Sequence, residues 1–317
     1  MTKRVLALDP RSYQRHPIHG ENRIWAETNC YVDLWVELAH ALGHEPVAAL
    51  PFTFTIDFEG DQWTFFKFPL TELQELFGLD VQELAIWRPM VAHLEEQVGH
   101  GRPVLVEVDS YYLPDTAGTA YKSAHVKTTI AVVSIDVEQR RLGYFHNAGY
   151  YELSGEDFDG IVLTEWPLPP YTEFVKVRRN APDGDLVQKS LALFRKHLAL
   201  VPEVNPFLAF KMRMAQEVDG LLQESLETFH QYSFATLRQL GACFELCATY
   251  LQWLAAQGEE GLEELTREFL EISEGAKAFQ FQLARAMARK KPLDLTPLEA
   301  MAERWERGIG GLKARYA

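Results

Sequence analysis

Two periodicities divide this chain. Up to about residue 180, apolar residues alternate with polar ones or gather in short β-branched runs, the signature of strands. Such runs predict strands at 3–8, 47–56, 103–109, 126–135, 141–145 and 173–178. Between them the spacing predicts a helix from Cys30 to about Ala41, stopped by Gly43, a capped helix starting at Thr71, and a helix over 89–98. A turn or short helix is expected at 155–160, and Tyr111 to Lys122 reads as a loop. After Asn180-Ala181-Pro182-Asp183-Gly184-Asp185 the apolar residues recur every three or four positions. Helices are then expected at 185–199, 206–228, 232–257, 259–289 and 296–314, with Pro202, Pro206, Gly258 and Pro292 near their ends. The pattern predicts an α+β domain over residues 1–180 and a helical bundle over 181–317.

Composition narrows the class. The 317 residues are 47% hydrophobic and 24% charged, which is globular rather than disordered. The formal net charge is −14, and the first 180 residues hold 26 of the 45 acids but only 15 of the 31 Lys and Arg. That balance argues against a nucleic-acid backbone as the main partner. Three cysteines, at 30, 243 and 247, do not make a disulfide framework. The apolar run at the start is ended by Asp9 and Pro10, too short for a signal peptide, and no uncharged stretch is long enough to span a bilayer. A reducing cytoplasm is the expected location, and there Cys30 stays a thiol.

The chemistry-bearing residues come in the order Cys30, His125, Asn147, the order of a papain-like centre. A thiol at the first turn of a helix faces unsatisfied backbone N–H groups and the positive helix end, which favour thiolate. His125, at the start of a predicted strand, is the candidate base, and Asn147, at the end of the next, the candidate orienting group. The backbone N–H of Cys30 with Asn22 or Asn29 would form an oxyanion hole. Against this stand plainer roles: a core cysteine, a buried neutral histidine, and an asparagine that only ends a strand. His146, next to Asn147, is expected to point to the opposite face. Cys243 and Cys247, four apart on a helix, read as core thiols. Ten histidines carry no His-Glu-x-x-His pattern and there is no Cys-x-x-Cys, so no metal is expected. The acids Asp57, Glu59, Asp61, Asp109 and Asp115 read as solvated or structural rather than as a cation site or a glycosidase pair. No phosphate-binding or dinucleotide-binding glycine loop occurs.

Several unusual strings carry a family resemblance: Glu27-Thr28-Asn29-Cys30-Tyr31, the segment from Asp57 to Lys67, Leu113-Pro114-Asp115-Thr116-Ala117-Gly118, His125-Val126-Lys127-Thr128-Thr129, and Tyr144-Phe145-His146-Asn147-Ala148-Gly149. Over roughly residues 20–175 the chain resembles a bacterial family, the domain of unknown function numbered 1839. That family is distantly similar to papain-like acyltransferases of the butirosin-pathway kind. The resemblance implies a papain-like fold and transfer of an acyl or aminoacyl group from the phosphopantetheine thioester of a carrier protein to an amine. Cys30 would carry the acyl group, His125 would be the base, and Asn147 would stand where an Asp is common. No cofactor would be bound directly; the carrier's phosphopantetheine arm would be a co-substrate. Trp63, Phe65, Phe66, Tyr111, Tyr112 and Tyr121, with Asp115, would line the cleft and exclude water. The basic cluster Arg285, Arg289, Lys290 and Lys291 would meet an acidic carrier. The alternatives are a papain-like cysteine peptidase or amidase, and a non-enzymatic scaffold that holds a loaded carrier.

Overall fold

A computed structural model describes residues 1–27, 29–163, 168–178 and 184–316. Two compact units emerge, an N-terminal mixed α/β unit and an all-helical C-terminal one. The first comprises residues 1–21, 29–46 and 69–183; the second takes 22–28 and 47–68 together with 184–317. The boundary expected at residue 180 lies outside the described residues.

The first unit is built on one antiparallel sheet. Its strands are β1 (Lys3–Arg4), β2 (Leu79–Glu83), β3 (Val104–Asp109), β4 (Lys127–Asp136), β5 (Arg141–His146), β6 (Gly149–Ser154) and β7 (Thr172–Val177), in the order β2-β7-β3-β4-β5-β6, with β1 beside β4. The strand expected at 3–8 shrinks to two residues, because Val5 is the last to bond to β4 and the turn at Asp9 follows. β2 and β6 escape the sequence pattern: β2 ends in exposed polar residues, and β6 follows β5 after only two residues.

Helices cover both faces. α3 (Met90–Gly99) and α4 (Glu156–Val162) bury Leu94, Val98, Phe158 and Ile161 against Val104, Val106, Val108, Ile130 and Val132. Strand residues point alternately up and down, so Leu105, Glu107 and Asp109 face the other way. That second face carries the row Glu173, Leu105, Ala131, Phe145, Tyr150 across five strands. α1 (Cys30–Ala41) lies over it. The Tyr31 hydroxyl donates to Glu173 at 2.8 Å, and Tyr13, bonded to Glu37 of α1, touches the rings of Phe145 and Tyr150. α1 therefore crosses the strands, its first turn over β7. α2 (Leu70–Phe77) precedes β2 and ends at Gly78, whose left-handed φ of 70° suits a residue without Cβ.

α1 starts where Asn29 caps it: its side chain accepts the Val32 N–H at 2.9 Å. Residues 31 to 39 are all buried, including two carboxylates one turn apart, Asp33 and Glu37. His19 satisfies both, Nε2 at 3.2 Å from Asp33 and Nδ1 at 2.5 Å from Glu37. Burial alone would lower the His19 pKa, but the two acids raise it to about 9.

The second unit contains α5 (Leu186–Leu198), α6 (Pro206–Leu221), α7 (Leu226–Ser233), α8 (Gln239–Ala256), α9 (Glu263–Arg289) and α10 (Thr296–Tyr316), with a π turn (Phe234–Arg238) leading into α8. The helix expected over 206–228 breaks at Leu222, because Ser225 caps a new helix by accepting the Thr228 N–H. The strand expected at 47–56 is instead two 3₁₀ turns, Pro46–Ala49 and Pro51–Thr55. Proline opens each turn, and the Thr53 and Thr55 hydroxyls bond back to the carbonyls three residues earlier, which favours a turn over a ladder. Cys243 and Cys247 are fully buried in α8, and burial pushes the Cys243 thiol pKa up. Among the described residues no helix is long and apolar enough to cross a membrane.

Candidate active site

A polar site of the first unit lies where β3 ends and β4 begins. Asp109 pairs with Lys127 in the ladder, so the residue two before Lys127 lies beside the Asp109 carboxylate. That residue is His125, and its Nδ1 stands 2.5 Å from Asp109 Oδ2. The other carboxylate oxygen accepts the Tyr111 N–H at 3.0 Å. Asp109 is buried, whereas the His125 side chain is 71% exposed. The imidazole also stacks on Tyr111, with ring centroids 4.6 Å apart and planes 9° apart. The exposed imidazole is thus held at one edge and one face.

The loop that delivers Tyr111 and His125 is tied at many points. Ser110 N–H donates to Val126 C=O, and Lys122 N–H to Tyr111 C=O. The Thr116 hydroxyl donates to the carbonyls of Ser110 and Leu113. Lys122 pairs with Asp157 at 2.6 Å and lies over the rings of Tyr111, Tyr112 and Tyr121. The Tyr121 hydroxyl bonds to Asp157. Asp115 is not a cleft residue. It is buried against the opposite face, where Tyr144 donates to one oxygen and His146 Nδ1 meets the other, each at 2.5 Å. His146 Nε2 in turn meets the Thr128 hydroxyl at 2.8 Å. This buried chain braces the loop onto β4 and β5, and His146 takes the face opposite α1, as alternation requires.

Beside His125 a groove of about 460 Å³ is lined by Val108, Val126, Leu168 and Pro170, with Glu107, Asp109 and Lys127. Val126 and Leu168 are more than half exposed. The groove offers an apolar surface next to the imidazole.

Cys30 is the first residue of α1 and is half-buried. Among the described residues its thiol makes no hydrogen bond, to His125 or to any other group. The first turn of α1 is anchored over Glu173, beside Leu105. Asp109 lies four residues further along β3, roughly 13 Å at the rise of a strand. Cys30 thus opens the helix that covers the face bearing Asp109, but its thiol and the imidazole are not hydrogen-bonded.

Asn147 occupies a different niche. With φ of 45° it is the left-handed corner of the two-residue turn between β5 and β6, a conformation that Asn tolerates better than most residues. The group on His125 Nδ1 is Asp109, one of the acids that the sequence pattern reads as solvated or structural. The signal for it was available: antiparallel pairing of 103–109 with 126–135 puts the end of one strand beside the start of the other. Asn29 spends its side-chain oxygen on the helix cap, and Asn22 belongs to the second unit.

The aromatic residues divide in the same way. Trp63 is fully buried in the second unit against Phe207, Phe210 and Phe244, so it is core and not cleft. Phe65, also in the second unit, is partly exposed beside Phe234, and Phe66 is buried. Tyr111 touches His125 directly, while Tyr112 packs edge-on against Tyr111. Arg285, Arg289, Lys290 and Lys291 end α9 on exposed positions, and Lys290 reaches the Glu224 carbonyl. Among the described residues no group of three or more His, Cys, Asp and Glu is arranged to hold a metal.

Two family models match the chain, and they assign residues 22–28 and 47–68, which pack in the second unit, to the N-terminal domain. The DUF1839 N-terminal domain matches residues 14–177 and the DUF1839 C-terminal domain matches residues 183–314. The chain belongs to the DUF1839 family. No curated protein matches it. In this DUF1839 protein β2 to β7, α1 and the Asp109–His125 pair fall within the N-terminal domain, and β1 precedes it.

Proposed function

We propose that this DUF1839 protein is a papain-like thiol acyltransferase, in which Cys30 takes an acyl or aminoacyl group from a carrier-protein phosphopantetheine thioester and passes it to an amine. The observation that carries this is the Asp109–His125 pair, exposed beside an apolar groove on the sheet face that α1 covers. Asp109 replaces Asn147 as the orienting group. In the first step the Cys30 thiolate attacks the thioester carbon, the carbon–sulfur bond of the donor breaks, and the leaving pantetheine thiolate takes a proton from His125. In the second step the amine attacks the acyl-cysteine, His125 receives the amine proton, and the Cys30 thiolate leaves. An amide is more stable than a thioester, so the second step runs forward if water is excluded. The same residues with water as acceptor would make a peptidase or amidase. The chemistry requires the first turn of α1 and the loop of His125 to approach when substrate is bound, since no hydrogen bond joins them here.

Incubation with an aminoacylated carrier protein, followed by intact-mass measurement, tests this. An acyl adduct on the wild type, absent from Cys30→Ala, is expected, with slowed transfer to amine in His125→Ala. The missing contact between Cys30 and His125 favours one other reading, a scaffold that holds a loaded carrier without turnover. Binding of the carrier with no adduct, and with unchanged binding in Cys30→Ala, would select the scaffold.

A further inference from the structure

A second cavity of the first unit lies far along the sheet from His125, and nothing above uses it. It is about 610 Å³ in volume. Its floor is a row of ladder partners, Arg4, Ser134, Gly143 and Glu152, contributed by β1, β4, β5 and β6. The next row, Asp136, Arg141 and Ser154, extends it, and the segment Leu6, Ala7, Leu8 lines it as well.

Gly143 makes the space. A Cβ there would collide with the Tyr150 hydroxyl, which reaches over the bare backbone from β6. Tyr150 is only 3% exposed, yet its hydroxyl makes no hydrogen bond among the described residues. Burial pushes its pKa up to about 12, with Glu152 and Asp9 adding to the rise and Arg141 and Arg4 opposing it. The hydroxyl therefore stays a donor.

The polar groups around it do not cancel. Asp136 is satisfied by the Thr2 hydroxyl at 2.6 Å and the Gln139 N–H at 3.0 Å. Glu152 is held by Arg141, and Asp9 accepts the Arg11 N–H. The side chains of Arg4, Ser134, Ser154 and Tyr150 make no hydrogen bond or ion pair among the described residues. What remains without a protein partner is the exposed Arg4 guanidinium and three hydroxyls that can each donate, while the carboxylates of the two rows, Asp136 and Glu152, are already engaged. Unpaired donors in a half-enclosed space are what an anionic group satisfies.

We propose that this cavity binds a small molecule through a phosphate or carboxylate group, which pairs with Arg4 and accepts a hydrogen bond from the Tyr150 hydroxyl. Inorganic phosphate and, separately, acetate would be titrated into the ¹⁵N-labelled full chain at ionic strength held constant with sodium chloride. Saturable shifts at the amides of Ser134, Gly143 and Tyr150 are expected. The apparent affinity should fall about fivefold or more in Arg4→Ala and in Tyr150→Phe, each losing one charged or polar partner of the anion. Tyr150→Phe removes a single hydroxyl that makes no hydrogen bond and keeps the ring packed against Tyr13 and Phe145, so its spectrum should otherwise match the wild type. Tighter binding of phosphate would point to a phosphate ester, and tighter binding of acetate to a carboxylic acid. Shifts that do not saturate, or an affinity unchanged in both variants, would overturn the proposal.

Discussion

Asp109 holds His125 by one carboxylate oxygen and the Tyr111 N–H by the other, so one acid fixes both the imidazole edge and the ring beneath it. Removing the charge while keeping the shape isolates that role. Asp109→Asn should fold normally and should lower acyl transfer by about 10²-fold or more, the range for losing an oriented general base. Single-turnover rates with a loaded carrier protein would measure it. Transfer at the wild-type rate would remove Asp109 from the mechanism.

Asn147 gives the opposite expectation. Its left-handed backbone suits glycine even better, so Asn147→Gly should leave both stability and transfer close to wild type. Asn147→Ala should cost roughly 1 kcal/mol of stability, because a Cβ without a compensating polar group is disfavoured at that φ. Urea unfolding beside the transfer assay separates the two. A large loss of transfer in the glycine variant would restore Asn147 as the orienting group.

These two residues also mark how far the sequence could be read. The start of α1 is legible because Asn29 caps it and apolar residues follow at helical spacing. β3, β4 and β7 are legible as runs rich in β-branched residues, and β5 as a short run carrying Tyr144 and Phe145. The His125 position is legible as the polar start of such a run. Its partner is not, because pairing between strands is a long-range fact and Asp109 looks locally like any strand-ending acid. The misreading of 47–56 has a similar cause. Its apolar density comes from burial within the second unit, while Pro46 and Pro51 set its turns. The sequence does not tell Trp63 the core residue from Trp63 the cleft residue for want of the same information, since an aromatic core residue and an aromatic wall residue look alike along a chain.

The ion cluster under α1 predicts a pH dependence of stability. His19 titrates near 9 in the folded protein and near its ordinary 6.5 when unfolded. The folded state therefore binds a proton that the unfolded chain has released above pH 6.5. Its contribution is complete below that value and is lost as pH rises through 9, a fall of about 3 kcal/mol. Urea midpoints at pH 6 and pH 9.5 would show it, and a histidine ring resonance titrating near 9 would assign it. Equal midpoints with no such resonance would mean that Asp33 and Glu37 do not hold His19 charged.

The thiols should be distinguishable without any substrate. Cys243 and Cys247 are fully buried, whereas Cys30 is half-buried. Titration of the native protein with a thiol reagent should modify Cys30 alone, and all three should react in denaturant. Reaction of Cys243 or Cys247 in the native state would show that α8 opens readily.

Gly160 of α4 tests whether the aromatic support of the site matters. A Cβ at this position would strike the Tyr112 ring. Tyr112 packs edge-on against Tyr111, which in turn stacks on His125. Gly160→Ala gains helix propensity worth about 1 kcal/mol, but displacing a ring from a packed site costs about 1–3 kcal/mol. A small net loss of stability is expected, of order 1 kcal/mol by the difference of these effects. The larger effect should fall on the site, since a displaced Tyr112 pushes on Tyr111 and frees the imidazole from its stack. Transfer should drop at least several-fold while Asp109 and His125 remain unchanged in identity. Pairing Gly160→Ala with Tyr112→Ala removes the collision and should recover part of any transfer lost through it. If Gly160→Ala transfers acyl groups as the wild type does, the tyrosine stack is packing alone and His125 depends only on Asp109 for its orientation.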